Sequence, residues 1–378
     1  MPLPPESHAR AWLTLLRAPG LGATRLRALL ADCGDVERAL ASPAAWQRIG
    51  MPAAAQSWCR APDVARLQAD LEWLAQPAHH LLTCDSADFP ALLASTPQAP
   101  AALFVAGDVD LLWRAQIAVV GSRNPTEGGL DNARDFAATL ARSGLAITSG
   151  LADGIDAAAH RAALEAQAVT IAVVGTGPDL VYPAKHRALA AQIERHGAIV
   201  SEYPPGTEAR REHFPRRNRL IAGLSLGTLV IEAALQSGAL ITARLAAEAG
   251  REVFALPGSI HNPLAKGCHR LIRDGAALVE TAQEIVEALA SQAAQLATAL
   301  RGRLATAGPE PESMLKAESR EDPEYRRLWQ SLDHDPVGID VLAQRSGLTV
   351  GVLSSMLLLM ELDGRVAAAH GRYARRRS

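Results

Sequence analysis

Five arginines, Arg210, Arg211, Arg216, Arg217 and Arg219, fall within residues 210–219 of a chain whose formal net charge is only −2. Guanidinium groups make forked hydrogen bonds to phosphate and stack on bases, which lysine does poorly. Like charges this close repel one another and call for an external anion when they are fused to apolar sequence. Here the run leads into Leu220-Ile221-Ala222-Gly223-Leu224, and Phe214 stands among the cations. An aromatic ring beside basic side chains is the usual combination in a groove for single-stranded nucleic acid. Taken alone, the run also reads as a solvated charged loop.

Further chemistry gathers after short apolar segments. Gly121-Ser122-Arg123-Asn124 follows the first and Ser149-Gly150-Leu151-Ala152-Asp153-Gly154-Ile155-Asp156 the second. Gly175-Thr176-Gly177-Pro178 follows the third, and Ser201-Glu202-Tyr203-Pro204 leads from the fourth to the arginines. Glu232 and then Ser237-Gly238-Ala239-Leu240-Ile241-Thr242 follow the fifth. Small residues let backbone approach a phosphate, and helix N-termini supply free amides. Gly121, Ser122, Arg123, Ser149, Gly150 and Thr242, with the arginine run, therefore outline a phosphate-binding rim.

Other chemistries fit less well. A dinucleotide site needs G-x-G-x-x-G after a strand; the first turn has only Gly121, and Leu180 replaces the third glycine after Gly175 and Gly177. No G-x-x-x-x-G-K-[ST] is present, which disfavours a P-loop nucleotidase. Asp156 and His160 stand at i, i+4, a metal-binding spacing, yet no third ligand accompanies them and an Asp near a helix start is most often a cap. Glu202 and Glu232 read as counter-charges that hold arginines in place rather than as acid and base. No metal, cofactor or catalytic residue is expected.

The elements that must carry these loops follow from periodicity. Residues 117–120, 145–148, 170–174, 198–200, 228–231 and 253–256 are short apolar strands. Helical segments over 131–143 and 185–196 end at Gly144 and Gly197, where helix stops are expected. Continuous apolar strands separated by helices imply a parallel sheet covered on both faces, with ligands outside the strand carboxyl ends. The expected fold is α/β: a Rossmann-like core over 76–290, a helical domain over 1–75, a linker over 291–325 and a winged helix over 326–378. In the N-terminal helices, Ala18-Pro19-Gly20-Leu21-Gly22 reads either as the turn of a helix-hairpin-helix or as a plain α-hairpin. In the winged helix, residues 362–366 and 371–373 are the expected wing strands. Residues 349–362, its expected recognition helix, contain no Lys or Arg, so base reading in a major groove is not expected. The basic tail with Arg372, Arg375, Arg376 and Arg377 is the part of this domain that suits phosphates.

Composition bounds the rest. The chain has 378 residues with 48% hydrophobic and 4% aromatic content, enough for two or three domains with a sizeable core. Cys33, Cys59, Cys84 and Cys268 are far apart, which supports neither a zinc site nor a disulfide framework and suits the cytosol. No signal peptide is evident, and no uncharged apolar run reaches the ~18 residues of a membrane span.

These loops together resemble the DNA-processing protein A family (DprA, also called Smf). The carrying motifs are Val120-Gly121-Ser122-Arg123, residues 149–156 with His160, Gly175-Thr176-Gly177 with Tyr182-Pro183, Ser201-Glu202-Tyr203-Pro204 and residues 214–219. Residues 237–243, Leu256-Pro257-Gly258-Ser259 and Gly267-Cys268-His269-Arg270-Leu271-Ile272 complete the set. The resemblance implies a cytoplasmic, non-enzymatic homodimer that binds single-stranded DNA in natural transformation and loads the recombinase RecA onto it. It places Ser122, Arg123, Phe214, Arg216, Arg217, Asn218 and Arg219 along the DNA groove. It sets residues 267–278 at or near the dimer contact, where His269, Leu271, Ile272 and Leu278 read as a small self-complementary patch; Leu271 and Ile272 also read as residues that pack this last helix onto the sheet. Asp153 departs from the pattern, since many relatives carry Arg or Lys there. The alternative is a nucleoside-monophosphate phosphoribohydrolase-like enzyme, suggested by Gly227-Thr228-Leu229-Val230-Ile231-Glu232; Ser225-Leu226 replaces the Gly-Gly of that signature.

Overall fold

The computed structural model describes residues 6–307, 323–332, 337–348, 366–369 and 372–375, with Leu353, Met356, Leu357 and Met360. The chain forms two compact units, Met1–Ala299 and Leu300–Ser378.

The first unit opens with six helices: α1 (Glu6–Leu16), α2 (Ala23–Cys33), α3 (Val36–Ala41), α4 (Pro43–Arg48), α5 (Ala53–Arg60) and α6 (Val64–Leu74). Asp35, Ser42 and Asp63 cap α3, α4 and α6 by accepting from a backbone N–H three residues on, the geometry for which Asp and Ser are favoured. The turn between α1 and α2 holds Gly20 at φ +76°, a backbone conformation natural to glycine. Trp12, Leu13, Leu26, Leu29 and Leu67 are buried in one cluster that runs on into Phe104, Ala172 and Ile199. The helical segment thus shares its core with the sheet, and the change near residue 75 is one of secondary structure within a single unit.

The sheet has nine strands: β1 (His79–Thr83), β2 (Ala102–Gly107), β3 (Gln116–Gly121), β4 (Ala146–Ser149), β5 (Thr170–Val173), β6 (Ala198–Ser201), β7 (Gly227–Ile231), β8 (Glu252–Ala255) and β9 (Ala277–Leu278). Their order is β1-β2-β6-β5-β4-β3-β7-β8-β9. The run from β6 to β9 is parallel, as expected. β1 and β2 add an antiparallel edge. Those two and β9 lie outside the six strands expected from periodicity.

Eight helices accompany the strands: α7 (Ala91–Ala94), α8 (Glu127–Arg142), α9 (Ile155–Glu165), α10 (Arg187–His196), α11 (His213–Leu224), α12 (Gly238–Glu248), α13 (Lys266–Arg273) and α14 (Ala282–Ala307). Strand alternation decides which face each one covers. Ile117 and Val119 pack with Phe136 and Ala159 of α8 and α9, while Ala118 and Val120 pack with Leu220, Ile221 and Ala243 of α11 and α12. Each fully buried Ile or Leu here contributes about 1.5–3 kcal/mol relative to exposure.

The expected linker is helical through Ala307, as part of α14. Alanine, leucine and glutamine are strong helix formers, and Leu289 and Leu296, seven residues apart, bury against the sheet cluster. Residues 308–322, which include Gly308-Pro309, lie outside the described residues.

The second unit contains helices Pro323–Ser331 and Ile339–Ser346 and strands β10 (Val337–Gly338), β11 (Val366–Ala369) and β12 (Arg372–Arg375) in the order β10-β12-β11. β11 and β12 fall on the two expected wing strands, of which residues 362–365 and 371 lie outside the described residues. Leu353, Met356, Leu357 and Met360 are buried with Leu328, Leu342 and Val366, so the apolar side of the expected recognition helix serves as core. Arg375 donates to the Trp329 carbonyl and lies 4.6 Å from the centroid of its ring. Arg376 and Arg377 lie outside the described residues. Among the described residues, no helix is long and apolar enough to cross a membrane.

Candidate functional site

The chain builds outward from β3 to β6 on one side, then returns to place β7 against the other side of β3. Where strand order reverses, a crevice opens outside the carboxyl ends. A cleft of about 590 Å³ lies there, walled by residues 120–124 after β3, by α11 and by residues 234–242 after β7. The turn after β3 is close-packed: a Cβ on Gly121 would overlap the Ile231 carbonyl, and Gly154, at φ +74°, crosses over the Ser122 carbonyl. The Ser122 N–H donates to the Glu232 carbonyl at 2.7 Å and its hydroxyl accepts from the Asn124 N–H at 3.2 Å. These bonds fix the loop that presents Arg123.

Seven of the eleven expected binding residues line this cleft: Gly121, Ser122, Arg123, Phe214, Arg217, Asn218 and Thr242. Arg211 lines it too. Arg123 and Arg211 are exposed, and neither guanidinium joins an ion pair or hydrogen bond among the described residues. Phe214 is half-buried at the first turn of α11, with its ring centroid 5.4 Å from that of Tyr182, which is 53% exposed. Ser237 caps α12 by accepting from the Ala239 N–H at 3.3 Å. The first turn of that helix lines the cleft and presents its dipole to it, with the Ala239 and Leu240 amides taken by Ser237.

Four expected contacts are placed elsewhere. Ser149 and Gly150 are buried; the Ser149 hydroxyl donates to the Val119 carbonyl at 2.6 Å, tying β4 to β3. Arg216 is exposed outside the cleft wall. Arg219 is held in an ion pair with Glu202, which gives that acid its expected counter-charge role. Glu232 differs: its carboxylate accepts from the Thr126 N–H at 2.8 Å, the Thr126 hydroxyl at 2.7 Å and the Asn262 amide at 3.2 Å. Among the described residues it binds no arginine, because its carboxylate lies at the N-terminus of α8, where unpaired amides attract it first.

Arg217 requires the largest correction. It lines the floor of the cleft but is only 4% exposed. One terminal nitrogen donates to the carbonyls of both Gly150 (2.6 Å) and Val173. Burial lowers it to about 10, against the opposing charge of Asp156. Asp156, whose carboxyl is pushed up by burial and pulled back by Arg217, accepts from the N–H groups of Gly150 (3.1 Å) and Ala152 (3.4 Å). The pair clamps the loop after β4 from both sides. Asp156 is an internal support, not a metal ligand beside His160; among the described residues, no group of acidic, histidine or cysteine side chains is arranged to hold a metal.

His160 is fully buried, with Nδ1 2.7 Å from the Thr170 hydroxyl. That hydroxyl already donates to the Ile147 carbonyl, so it accepts from His160, and the neutral ring carries its proton on Nδ1. Burial lowers the imidazole from 6.5 to about 3. Between those values the unfolded chain binds the extra proton and the folded one does not. Stability is therefore complete above 6.5 and falls as pH drops toward 3, at up to about 1.4 kcal/mol per pH unit. Urea titrations between pH 7 and pH 5 should show this slope, and His160→Gln should flatten it. An unchanged slope in the variant would assign the acid lability to other groups.

Asp153 accepts from Lys185 and His186, each at 2.9 Å. Burial acts to raise its carboxyl, but these two partners outweigh it and hold it below the usual carboxylate range. The residue that departs from the family pattern is thus neutralised internally. In the expected dimer segment, His269 Nε2 lies 2.9 Å from the Gly258 carbonyl oxygen. Leu271 and Ile272 of α13 are half-buried against the sheet cluster. Leu278, 48% exposed on the edge strand β9, is the most accessible of the four. Gln236, Ser237 and Gly238 line the cleft without having been among the expected binding residues; the signal for the last two was the cap sequence that opens α12.

A family model described as DNA recombination-mediator protein A matches residues 80–290, and the DprA winged helix domain matches residues 309–372. Protein Smf of Escherichia coli (strain K12) is 44% identical over 314 residues, spanning 82% of this chain and 81% of its own length. The X-ray structure of DNA processing protein A (DprA) from Streptococcus pneumoniae superposes with a TM-score of 0.66 at 35% identity, covering 74% of this chain and 97% of that one. A structure of DNA processing protein A from Helicobacter pylori, described for its single-stranded DNA binding mode, gives a TM-score of 0.51 at 28% identity over 56% of this chain and 97% of that one.

Proposed function

Because the chain belongs to the DNA recombination-mediator protein A family, we propose that its strand-end cleft binds single-stranded DNA without chemical turnover. The observation that carries this reading is the pair of uncommitted guanidiniums, Arg123 and Arg211, facing one cleft with the Phe214 ring and the first turn of α12. Guanidiniums and a helix N-terminus suit phosphate, and Phe214 with Tyr182 offers a ring face to an unstacked base. Arg217 and Arg219 act from beneath, by holding the loops and α11 in place. In the same proposal the protein is a cytoplasmic homodimer that contacts its copy through the α13–β9 segment. It keeps incoming DNA single-stranded during transformation and hands it to RecA. The phosphoribohydrolase reading has no carrier, since the Glu232 carboxylate is fully engaged away from the cleft.

The test compares single-stranded and duplex DNA of equal length by gel shift at two salt concentrations. Single strands should bind at least roughly tenfold tighter, because a duplex withholds its base faces from Phe214. Affinity should fall steeply with salt as counterions are released. Equal affinity for both forms, or no salt slope, would sink the proposal.

A further inference from the structure

The cleft does not end at Arg123. That residue and Asn124 also line a second hollow of about 410 Å³ on the α8–α9 side. Arg161, Glu165 and Lys185 continue from there into a third, of about 820 Å³, between α9 and α10. The three hollows adjoin through these shared residues, in a line from the strand ends along α9, and we treat the second and third as one trough. An 11-residue helix is about 16 Å long at 1.5 Å per residue, room for a few nucleotides.

The second and third hollows carry five side-chain cations, Arg123, Arg134, Arg161, Lys185 and Arg195, against Asp153 and Glu165. This excess stands out on a chain of net charge −2. Two of the cations are occupied: Arg134 by Asp131 at 2.7 Å and Lys185 by Asp153 at 2.9 Å. Arg161 is exposed and joins no ion pair or hydrogen bond among the described residues. Arg195 is exposed and, among the described residues, uses only Nε, on the Ala191 carbonyl of its own helix. No Phe, Tyr or Trp lines either hollow among the described residues; the rings there are His186, held by Asp153, and His196. The trough thus suits a phosphodiester backbone better than a run of stacked bases.

We propose that this trough is a second subsite for the same polymer. A single strand leaving the first cleft passes Arg123 and lays its phosphates along Arg161 and Arg195. This rests on the single-strand reading of the first cleft, and it adds a length requirement that the first cleft alone does not impose.

The experiment measures anisotropy with labelled oligothymidylates of about six and about twenty nucleotides, within and beyond the usual range of site sizes. The full-length chain is compared with Arg161→Glu/Arg195→Glu, with the milder Arg161→Gln/Arg195→Gln, and with Arg142→Glu, which reverses an exposed charge on α8 outside the trough. The Glu pair should lose roughly tenfold or more on the long strand and less than about twofold on the short one. Its salt slope on the long strand should fall by about 1.4, at about 0.7 per phosphate released. The Gln pair should follow in the same direction, Arg142→Glu should match the unmodified chain, and all melting curves should coincide. Unchanged binding of the long strand by the paired variants, or equal losses at both lengths, overturns the trough alone. An unmodified chain that binds neither oligonucleotide overturns the first-cleft reading, and the trough with it.

Discussion

Replacing Arg217 with alanine is expected to lower stability by about 3–5 kcal/mol, the range for breaking a buried charge pair by removing one partner. Three effects combine. Asp156, itself buried, loses the cation that offsets its desolvation. The carbonyls of Gly150 and Val173 lose their guanidinium donor, and an unsatisfied buried acceptor costs about 1–3 kcal/mol. The missing side chain also leaves a void under the cleft floor that α11 fills only in part. Lysine should restore part of the charge but not the branched contact to two loops, so Arg217→Lys should fall between the two. Urea unfolding is the direct measurement. A loss under about 1 kcal/mol would show that Arg217 is not the clamp described here, and would return it to the group of DNA contacts.

The five arginines look alike as residue types, and what separates them is helix phase. Once residues 213–224 are placed on a helix, His213, Arg217, Leu220, Ile221 and Leu224 fall on its buried stripe. Arg216 is then turned to solvent. The i, i+4 relation was readable in the chain, but a dense run of charge reads first as a loop, and local pattern did not show that a helix would press it against the strand ends. The parallel core was legible because β3, β4, β5 and β7 are short apolar runs bounded by turn residues. β1 escaped because His79 and His80 open it, and β2 because it joins the sheet outside the βαβ rhythm, antiparallel to β6. Glu232 was misjudged because its partners, Thr126 and Asn262, lie 106 and 30 residues away, a separation at which spacing carries no information.

The same distinction sets the last expectation, which concerns Arg123 and Arg211. Both are exposed and line the cleft, so neither supports the fold, and changes of a few tenths of a kcal/mol in stability are the norm for such surface sites. Each contact with a phosphate is charge-assisted, and losing one should weaken single-strand binding by roughly tenfold. The two residues stand on different loops, and effects at independent sites add in free energy. Arg123→Ala/Arg211→Ala should therefore bind single-stranded DNA roughly a hundredfold more weakly while melting with the unmodified chain. Its salt slope should drop by about 0.7 for each phosphate no longer neutralised. Anisotropy at two salt concentrations, paired with a melting curve, separates this from the Arg217 case, in which binding and stability fall together. A double variant that binds normally would mean the open guanidiniums are solvated surface, and the strand-end cleft would lose the two groups that most clearly ask for an anion.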